Sequence, residues 1–175
     1  DMESYALKAL NVILGENMSS RLFQTIREKH GLAYSIGSGA QLFAETGALV
    51  ISAGLDRNRR AKAIDLVFKE LQKIKDEEVG ARELNLARQY IVGHLRLPLE
   101  SPLGHMMWAG EHLLHYGSVI APEEVVEAIN AVGAEDIQKA AAAVFKERNA
   151  TLSLLSPGIT EQEKSDLTQK LKELA

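Results

Sequence analysis

"RLFQTIREKHGLAYSIGSGAQLF", residues 21–43, changes its hydrophobic period at a single glycine. Before Gly31 the apolar side chains recur at helical spacing, at Leu22, Phe23 and Ile26. After Gly31 they recur at every second position, which is typical of a strand. A glycine at a helix end can adopt the left-handed conformation that stops the helix. The stretch therefore predicts a helix that ends at Gly31 and passes at once into a β-strand.

This strand is predicted to be the first arm of a β-hairpin. Its alternate side chains are expected on one face of the sheet: Tyr34, Ile36, Ala40 and Leu42. The tripeptide "ETG" at 45–47 is a turn signal, and "ALVISAGL" at 48–55 continues the alternation. We therefore predict an antiparallel pair of strands.

Most of the remaining chain has helical periodicity. Helices are predicted at residues 3–14, 17–31, 59–77, 82–97, from Pro102 onward, 122–132 and 134–145, with a short strand at 150–156 and a helical tail over 157–175. Thr160 and Glu163 form a capping box for the last helix, which carries Leu167, Leu171 and Leu174. This order predicts one α+β domain over residues 1–175, with helices packed on one face of a mostly antiparallel sheet.

Two or three strands are few for so many helices, and the chain begins with Asp1 rather than methionine. We interpret the chain as a fragment or a processed product whose first strand is missing. An unpaired sheet edge is then expected, and such edges recruit other strands.

The composition is that of an ordinary globular domain, with 46% apolar residues, 25% charged residues and a net charge of −4. Because lysine and arginine are spread along the chain, we expect no nucleic-acid partner. No apolar run approaches the roughly 20 residues that span a bilayer, and the acidic start is unlike a signal peptide. We therefore expect no membrane partner and a cytoplasmic location. The absence of cysteine excludes disulfides, thiolate nucleophiles and cysteine-ligated zinc.

The segment "EHLLH", residues 111–115, is the strongest candidate for metal binding. Helical zinc sites use the orders HExxH or HxxEH, and neither order is present. His112 and His115 would need a third ligand, which the sequence does not indicate. We therefore expect no metal in this chain. The preceding Met106, Met107 and Trp108 are expected to pack in the core.

Arg27 and Tyr34 stand seven residues apart on either side of Gly31. By local physics alone, Arg27 suits the negative end of a helix dipole and Tyr34 suits a strand. Taken by itself, this pattern favours structural roles for both residues over functional ones.

Four stretches resemble a known family: "LNVILGENMSSRLFQTIREKHGLAYSI" (10–36), "LPLESPLGHMMWAGEHLLHYG" (97–117), "PEEVVEAINAVGAEDI" (122–137) and "ATLSLLSP" (150–157). They look like the second, non-zinc half of pitrilysin/insulinase-type zinc peptidases, in the branch similar to mitochondrial processing peptidase. The resemblance covers residues 1–156. It implies an enzyme of two similar α+β halves that close like a clamshell, in which the first half carries HxxEH and binds zinc.

The resemblance implies that this chain is the substrate-binding C-terminal half of a zinc metalloendopeptidase and is inactive alone. Arg27 and Tyr34 would bind the peptide substrate, and the Tyr34 hydroxyl would also stabilise the transition state. Zinc would be held by the N-terminal half of the same protein or by a partner subunit, and a dimer is expected. The alternative is an inactive peptide-binding or scaffold subunit of the same family, like the core proteins of the respiratory bc1 complex. A purely structural dimerisation domain is a third possibility.

The chain departs from the family at the loop before the second helix. Close relatives often read GGGMSSRLF, whereas here Gly15 is followed by Glu16 and Asn17. A flexible glycine-rich loop is therefore in doubt, and Glu16 is expected to shift the preference toward basic peptides. In the family, the first strand of this half precedes a segment like residues 1–14.

Overall fold

A computed structural model describes residues 2–43 and 46–172 of the chain. In chain order, the α-helices are α1 (Met2–Asn11), α2 (Arg60–Asp76), α3 (Ala81–Arg96), α4 (Pro102–Tyr116), α5 (Pro122–Ala131), α6 (Ala134–Val144) and α7 (Glu161–Lys172). The strands are β1 (Ala33–Leu42) and β2 (Gly47–Leu55). Wider π-helical turns span Val12–Glu16 and Phe23–Lys29, and short 3-10 helices span Pro98–Glu100 and Glu147–Asn149. The predicted α+β class with an antiparallel sheet is confirmed.

The main core lies where the first two helical segments meet β1. Leu10, Leu14, Leu22 and Ile26 are fully buried there. Gly15 lies so close to β1 that a Cβ atom on it would stand 2.5 Å from the Ser38 amide nitrogen. Only glycine allows this approach of helix and strand.

The hairpin contains a bulge that the alternation pattern did not predict. Ala33 pairs with Leu55, and Ser35 pairs with Gly54, so Tyr34 is an extra residue in β1. Tyr34 and Ile36 were predicted to share one face, and this is wrong: Ile36 is 8% exposed and Tyr34 is 89% exposed. One inserted residue shifts the phase of the side chains. The predicted turn at 45–47 lies partly outside the described residues.

α4 begins as predicted, but its apolar face points away from the protein. Ser101 caps the helix by accepting a hydrogen bond from the Gly104 amide at 3.0 Å. The apolar side chains of one face are 50% to 86% exposed: Leu103, Met106, Met107, Leu113 and Leu114. The prediction that Met106 and Met107 pack in the core is therefore wrong. Periodicity identifies an apolar face of a helix, but it does not show whether anything covers that face.

The opposite face of α4 makes the contacts with the rest of the domain. Trp108 is half-buried, and its indole Nε1 donates to the Ile120 carbonyl at 2.8 Å. The His112 ring lies 4.1 Å from the Trp108 ring and 5.6 Å from the Tyr116 ring. Trp108 thus ties α4 to the segment that follows it, while His112 packs between two aromatic rings of the same helix.

Residues 150–156, predicted as a strand, form neither helix nor strand and have no hydrogen-bonded strand beside them among residues 2–43 and 46–172. The prediction of a strand is wrong here because a strand needs a ladder partner, and a cavity separates this segment from β2.

The tail after residue 156 is helical as predicted, in α7. The capping box at the start of α7 is confirmed, with the Thr160 amide 3.0 Å from Glu163 Oε2 and the Glu163 amide 3.2 Å from Thr160 Oγ1. The predicted apolar position Leu174 lies outside the described residues. In the described part of the chain, no helix is both long and apolar enough to cross a bilayer.

Candidate functional site

The corner at Gly31 is built by hydrogen bonds that close the preceding helix. Gly31 has a φ of +56°, in the left-handed region. Its amide donates to the Arg27 carbonyl at 3.0 Å, and the Leu32 amide donates to the Ile26 carbonyl at 2.9 Å. The predicted helix stop at Gly31 is confirmed, and β1 starts two residues later.

Arg59 holds the same corner from outside. Its two terminal nitrogens donate to the carbonyls of Gly31 at 3.0 Å and His30 at 2.9 Å. The guanidinium group thereby satisfies carbonyls that a helix end leaves without partners. Sequence reasoning missed this residue. A signal was present, because Arg59 and Arg60 stand at the start of α2, where the helix dipole disfavours cations.

Arg27 lies in the last turn before the corner, with its side chain 44% exposed. Its guanidinium carbon is 4.9 Å from the centroid of the Phe23 ring. Its Nε is 3.9 Å from Glu28 Oε1, and an exposed pair at this distance holds the side chain only weakly. The aromatic ring supports one side of the guanidinium group, and its N–H groups stay available to a ligand.

Tyr34 lies just beyond the corner, on the bulge. Its hydroxyl makes no hydrogen bond to any residue that the structure describes. The interpretation of Tyr34 as an aromatic residue packed on the sheet does not fit a side chain that is 89% exposed. Bulges often re-aim a side chain next to a functional site. The structure thus places Arg27 and Tyr34 on the surface, four residues before and three residues after Gly31.

A groove of about 520 Å³ runs between the Gly15 turn and the outer face of the hairpin. Its walls include Glu16, Met18, Phe23, Ser38 and Val50. Because the Phe23 ring is part of this wall and also contacts Arg27, the groove leads toward the corner.

A buried amide orients Glu16 at the groove. Asn11 is 4% exposed, and its Nδ2 donates to Glu16 Oε2 at 2.6 Å. Ser38 Oγ in turn donates to Asn11 Oδ1 at 2.7 Å. The loop that replaces the family's glycines is therefore tethered to the core, with a carboxylate facing the groove.

The helix that carries Arg27 is also anchored at its start. Arg21 donates two hydrogen bonds to Glu83 of α3, at 2.8 and 2.7 Å. These bonds raise the pKa of the Arg21 guanidinium, which is only 14% exposed. A bidentate pair fixes geometry as well as charge. No sequence pattern indicates this contact, which joins positions 62 residues apart.

The described residues contain no group of three potential metal ligands. His112 Nδ1 lies 2.8 Å from the Trp108 carbonyl oxygen, and this oxygen accepts a hydrogen bond from the tautomer that carries its hydrogen on Nδ1. This histidine is thereby engaged in helix packing. The donor set offered by "EHLLH" does not fit a zinc site, which requires at least three protein ligands.

Comparisons with known proteins agree with this architecture. The family described as "Peptidase M16 inactive domain" matches residues 1–91. The "Uncharacterized zinc protease YmxG" of Bacillus subtilis is 35% identical over 153 residues, which cover 87% of this chain and 37% of the relative. The "Uncharacterized zinc protease ML0855" of Mycobacterium leprae is 32% identical over 144 residues, covering 82% of this chain and 32% of the relative. The chain therefore spans about a third of the length of these relatives.

Solved structures show the same fold. A conserved protein from Enterococcus faecalis superposes with a TM-score of 0.72 at 26% identity, over 81% of this chain and 33% of that one. A protease from Helicobacter pylori gives a TM-score of 0.69 at 22% identity, over 83% of this chain and 35% of that one. Because this family matches residues 1–91 and the Bacillus relative is 35% identical over 87% of the chain, the chain belongs to the peptidase M16 inactive-domain family.

Proposed function

We propose that this chain is the substrate-binding C-terminal half of a zinc metalloendopeptidase and is inactive alone. The observation that carries the proposal is the bulge at Tyr34, which leaves a phenol 89% exposed beside the corner that also presents Arg27. β-Bulges are over-represented next to active sites, where they re-aim a side chain, and this supports a ligand-binding role for Tyr34.

In this proposal the two side chains act on one peptide. The Tyr34 hydroxyl donates a hydrogen bond to the oxyanion that develops on the scissile carbonyl. Arg27 donates to a carbonyl or carboxylate of the substrate, an interaction that suits a planar guanidinium group. Tyr34 thus acts in catalysis and binding, whereas Arg27 acts in binding.

The zinc ion would be supplied by the N-terminal half of the same protein or by a partner subunit. Support comes from the zinc-protease relatives, which are about three times as long as the matched region, and from the lack of a suitable ligand set in the described chain. When bound there, zinc polarises the scissile carbonyl and activates water. This chain contributes the substrate contacts.

The outward face of α4 is a suitable surface for that partner. Five large apolar side chains are exposed on it, among them Met107 at 50% and Leu114 at 86%. Soluble proteins rarely leave such a continuous apolar surface uncovered. We propose that the zinc half covers it, within a single polypeptide or in a dimer.

The test uses the longer natural protein that contains this chain. Tyr34→Phe removes only a hydroxyl and should lower kcat on a peptide substrate by about 10²-fold, as for other oxyanion donors. Arg27→Ala should also raise KM, since Arg27 holds the substrate before and during the reaction. Both variants should keep the melting temperature and the zinc content of the parent protein.

Matched controls separate these effects from general damage. Tyr116→Phe removes a hydroxyl from another exposed tyrosine, and Lys29→Ala removes a cation from the same turn as Arg27. Both controls should keep normal turnover. Normal kcat in a well-folded Tyr34→Phe enzyme would rule out the catalytic role of that hydroxyl.

A second candidate function is an inactive peptide-binding or scaffold subunit. The exposed α4 face also fits a scaffold, because it offers an association surface that needs no chemistry. The two functions differ in one measurement: the scaffold predicts that the longer protein lacks peptidase activity with zinc added, but still binds peptide.

A further inference from the structure

The carboxylate of Glu16 has one oxygen held by the protein and one oxygen open to the groove. Asn11, five positions earlier in the chain, donates from Nδ2 to Glu16 Oε2 at 2.6 Å. No residue that the structure describes donates to Glu16 Oε1, and the Glu16 side chain is exposed. A ligand in the groove therefore meets Oε1 as the free acceptor of this carboxylate.

Asn11 is itself fixed from the side of the core. It is 4% exposed, and Ser38 Oγ donates to its Oδ1 at 2.7 Å. Because the Ser38 hydroxyl binds the amide oxygen, the amide nitrogen is the atom turned toward Glu16. Gly15 packs closely against Ser38, which leaves the turn before Glu16 little room to move along β1. The order Ser38, Asn11, Glu16 thus holds the carboxylate in one orientation.

The two basic amino acids make different demands on such a carboxylate. The guanidinium group of an arginine is a planar fork that binds best through two parallel hydrogen bonds to both oxygens. The ammonium group of a lysine is a compact charge that can bind a single oxygen. At Glu16 an arginine would have to take Oε2 from Asn11, and the loss of that bond leaves a buried amide donor unpaired. A lysine can bind Oε1 while the bond from Asn11 stays intact.

The walls of the groove favour the same side chain. Met18 and Val50 line it and are 73% and 47% exposed, so they can pack along the aliphatic stem of a lysine. The Phe23 ring could stack on the guanidinium group of a substrate arginine, but it already holds Arg27 at 4.9 Å. The charge of Arg27 repels a second guanidinium group at that ring. A substrate arginine therefore lacks both a free pair of oxygens and a free ring.

We propose that the groove binds a lysine of the peptide substrate in preference to an arginine, and that Asn11 sets this preference by holding Glu16 Oε2. Glu16 contacts the substrate, whereas Asn11 is a positioning residue. The inference rests on the proposed function, because it requires that the groove binds peptide, and it names the side chain that the groove selects.

Fluorescence anisotropy of labelled peptides with the longer natural protein tests the preference without turnover. The three peptides are blocked at both ends, carry lysine, arginine or glutamine at one position, and are otherwise uncharged. A zinc chelator prevents cleavage. The lysine peptide should bind about two- to fivefold more tightly than the arginine peptide, within the range of one exposed ion pair, and the glutamine peptide should bind most weakly. Equal Kd values for the lysine and arginine peptides, or tighter binding of the arginine peptide, would overturn the inference.

A variant at Asn11 tests its role as a positioning residue. Asn11→Leu keeps a similar volume but removes the donor, so both oxygens of Glu16 become free and the preference for lysine over arginine should disappear or reverse. Asn130→Leu makes the same change at an exposed position of α5 and should keep the preference. If thermal melting shows that Asn11→Leu is unfolded, the smaller Asn11→Ala replaces it. A lysine preference that survives in a folded Asn11 variant would contradict the positioning role.

A double-mutant comparison separates this role from a general effect on packing. In the Glu16→Gln background, Asn11→Leu should leave the ratio of the two Kd values unchanged, since the carboxylate through which Asn11 acts is gone. A further change of the ratio in the double variant would show that Asn11 acts by another route, against the proposal.

The binding experiment is independent of the catalytic one. It needs neither zinc nor the Tyr34 hydroxyl, so normal turnover in Tyr34→Phe leaves its result standing. Equal binding of lysine and arginine peptides would overturn this inference alone. Binding of none of the three peptides would overturn the proposed substrate-binding function and this inference with it.

Discussion

Gly31 and Arg59 together show how single residues fix the candidate site. Gly31 supplies the positive φ that ends the helix, and Arg59 binds the two carbonyls exposed by that ending. Neither residue contacts a ligand in the proposed function. Both are positioning residues, because the relative placement of Arg27 and Tyr34 depends on the corner between them.

Glu16 is another single residue at the candidate site, and its charge predicts a preference among peptide substrates. Glu16→Gln removes the charge but keeps an oxygen that can accept from Asn11. In the longer protein, the preference for a lysine-containing peptide over its glutamine analogue should fall by about two- to fivefold in kcat/KM, the range of one exposed ion pair.

The preference should also weaken as salt increases, because exposed charges are screened. Glu135→Gln is the control, since that carboxylate lies on α6 and pairs with Lys139 instead. An unchanged peptide preference in Glu16→Gln would remove Glu16 from the specificity site.

At the scale of elements, α4 is an amphipathic helix whose apolar face points away from the protein. On the other face, Trp108 ties α4 to the following segment through its hydrogen bond to the Ile120 carbonyl. The folding of this domain alone therefore does not explain the apolar face.

The consequence for stability is measurable by denaturant unfolding of the 175-residue chain. Leu114→Ser should change the free energy of unfolding by less than about 0.5 kcal/mol, because the side chain is 86% exposed. Ile137→Ala, at a fully buried position of α6, should cost about 2–5 kcal/mol. A large loss in Leu114→Ser would show that the α4 face is covered in the chain alone.

α7 depends on a carboxylate with a lowered pKa. The backbone amide of Thr160 and then the Arg60 guanidinium hold the pKa of Glu163 below its usual value of 4.5. Arg60 is 7% exposed and also donates to Ser156 at 2.7 Å. Its guanidinium group therefore ties both α7 and the segment 150–156 to α2.

The lowered pKa predicts that the docking of α7 weakens in acid. A depressed pKa gives stabilisation that is complete well above 4.5 and is lost as pH falls through the lower, folded-state value. The protection factors of the α7 amides, which correct for the pH dependence of intrinsic exchange, should therefore fall in the parent chain as the pH drops through the folded-state pKa of Glu163. Glu163→Gln should exchange faster already at neutral pH and lose the pH dependence, whereas Glu161→Gln should behave like the parent. A parent chain whose α7 is equally protected on both sides of the transition would contradict the prediction.

At the scale of the whole molecule, the described part of the chain leaves two apolar surfaces uncovered, the outward face of α4 and the cavity between β2 and residues 151–154. Each surface is lined by large apolar side chains. The zinc chemistry of the proposed enzyme is likewise assigned to another part of the protein.

Because zinc binding is assigned to another part of the protein, we predict that the 175-residue chain alone does not hold zinc. After dialysis in chelator-free buffer, the purified 175-residue chain should contain far less than one zinc per molecule. The reason is that the chain has no cysteine and no HxxEH, and His112 contacts the Trp108 carbonyl. A stoichiometric zinc that disappears in His112→Ala would overturn this assignment.

The sequence by itself determined the interactions between residues that are close together in the chain. The helix stop at Gly31, the Ser101 cap and the Thr160–Glu163 capping box each depend on hydrogen bonds across three to six residues. The hairpin likewise follows from alternation on both sides of a turn. The resemblance of residues 1–156 to a peptidase family then indicated Arg27 and Tyr34, which local physics alone assigned to structural roles.

What the tertiary structure decided depends on partners distant in the chain. Tyr34 faces solvent because the register with β2 leaves it without a partner, and Arg59 reaches carbonyls 28 and 29 residues away. The outward direction of α4 and the missing ladder of 151–155 are also set by what lies beside them in space. The hydrophobic period of the sequence indicates which face of an element is apolar. Whether a neighbouring element covers that face is decided only when the elements pack together.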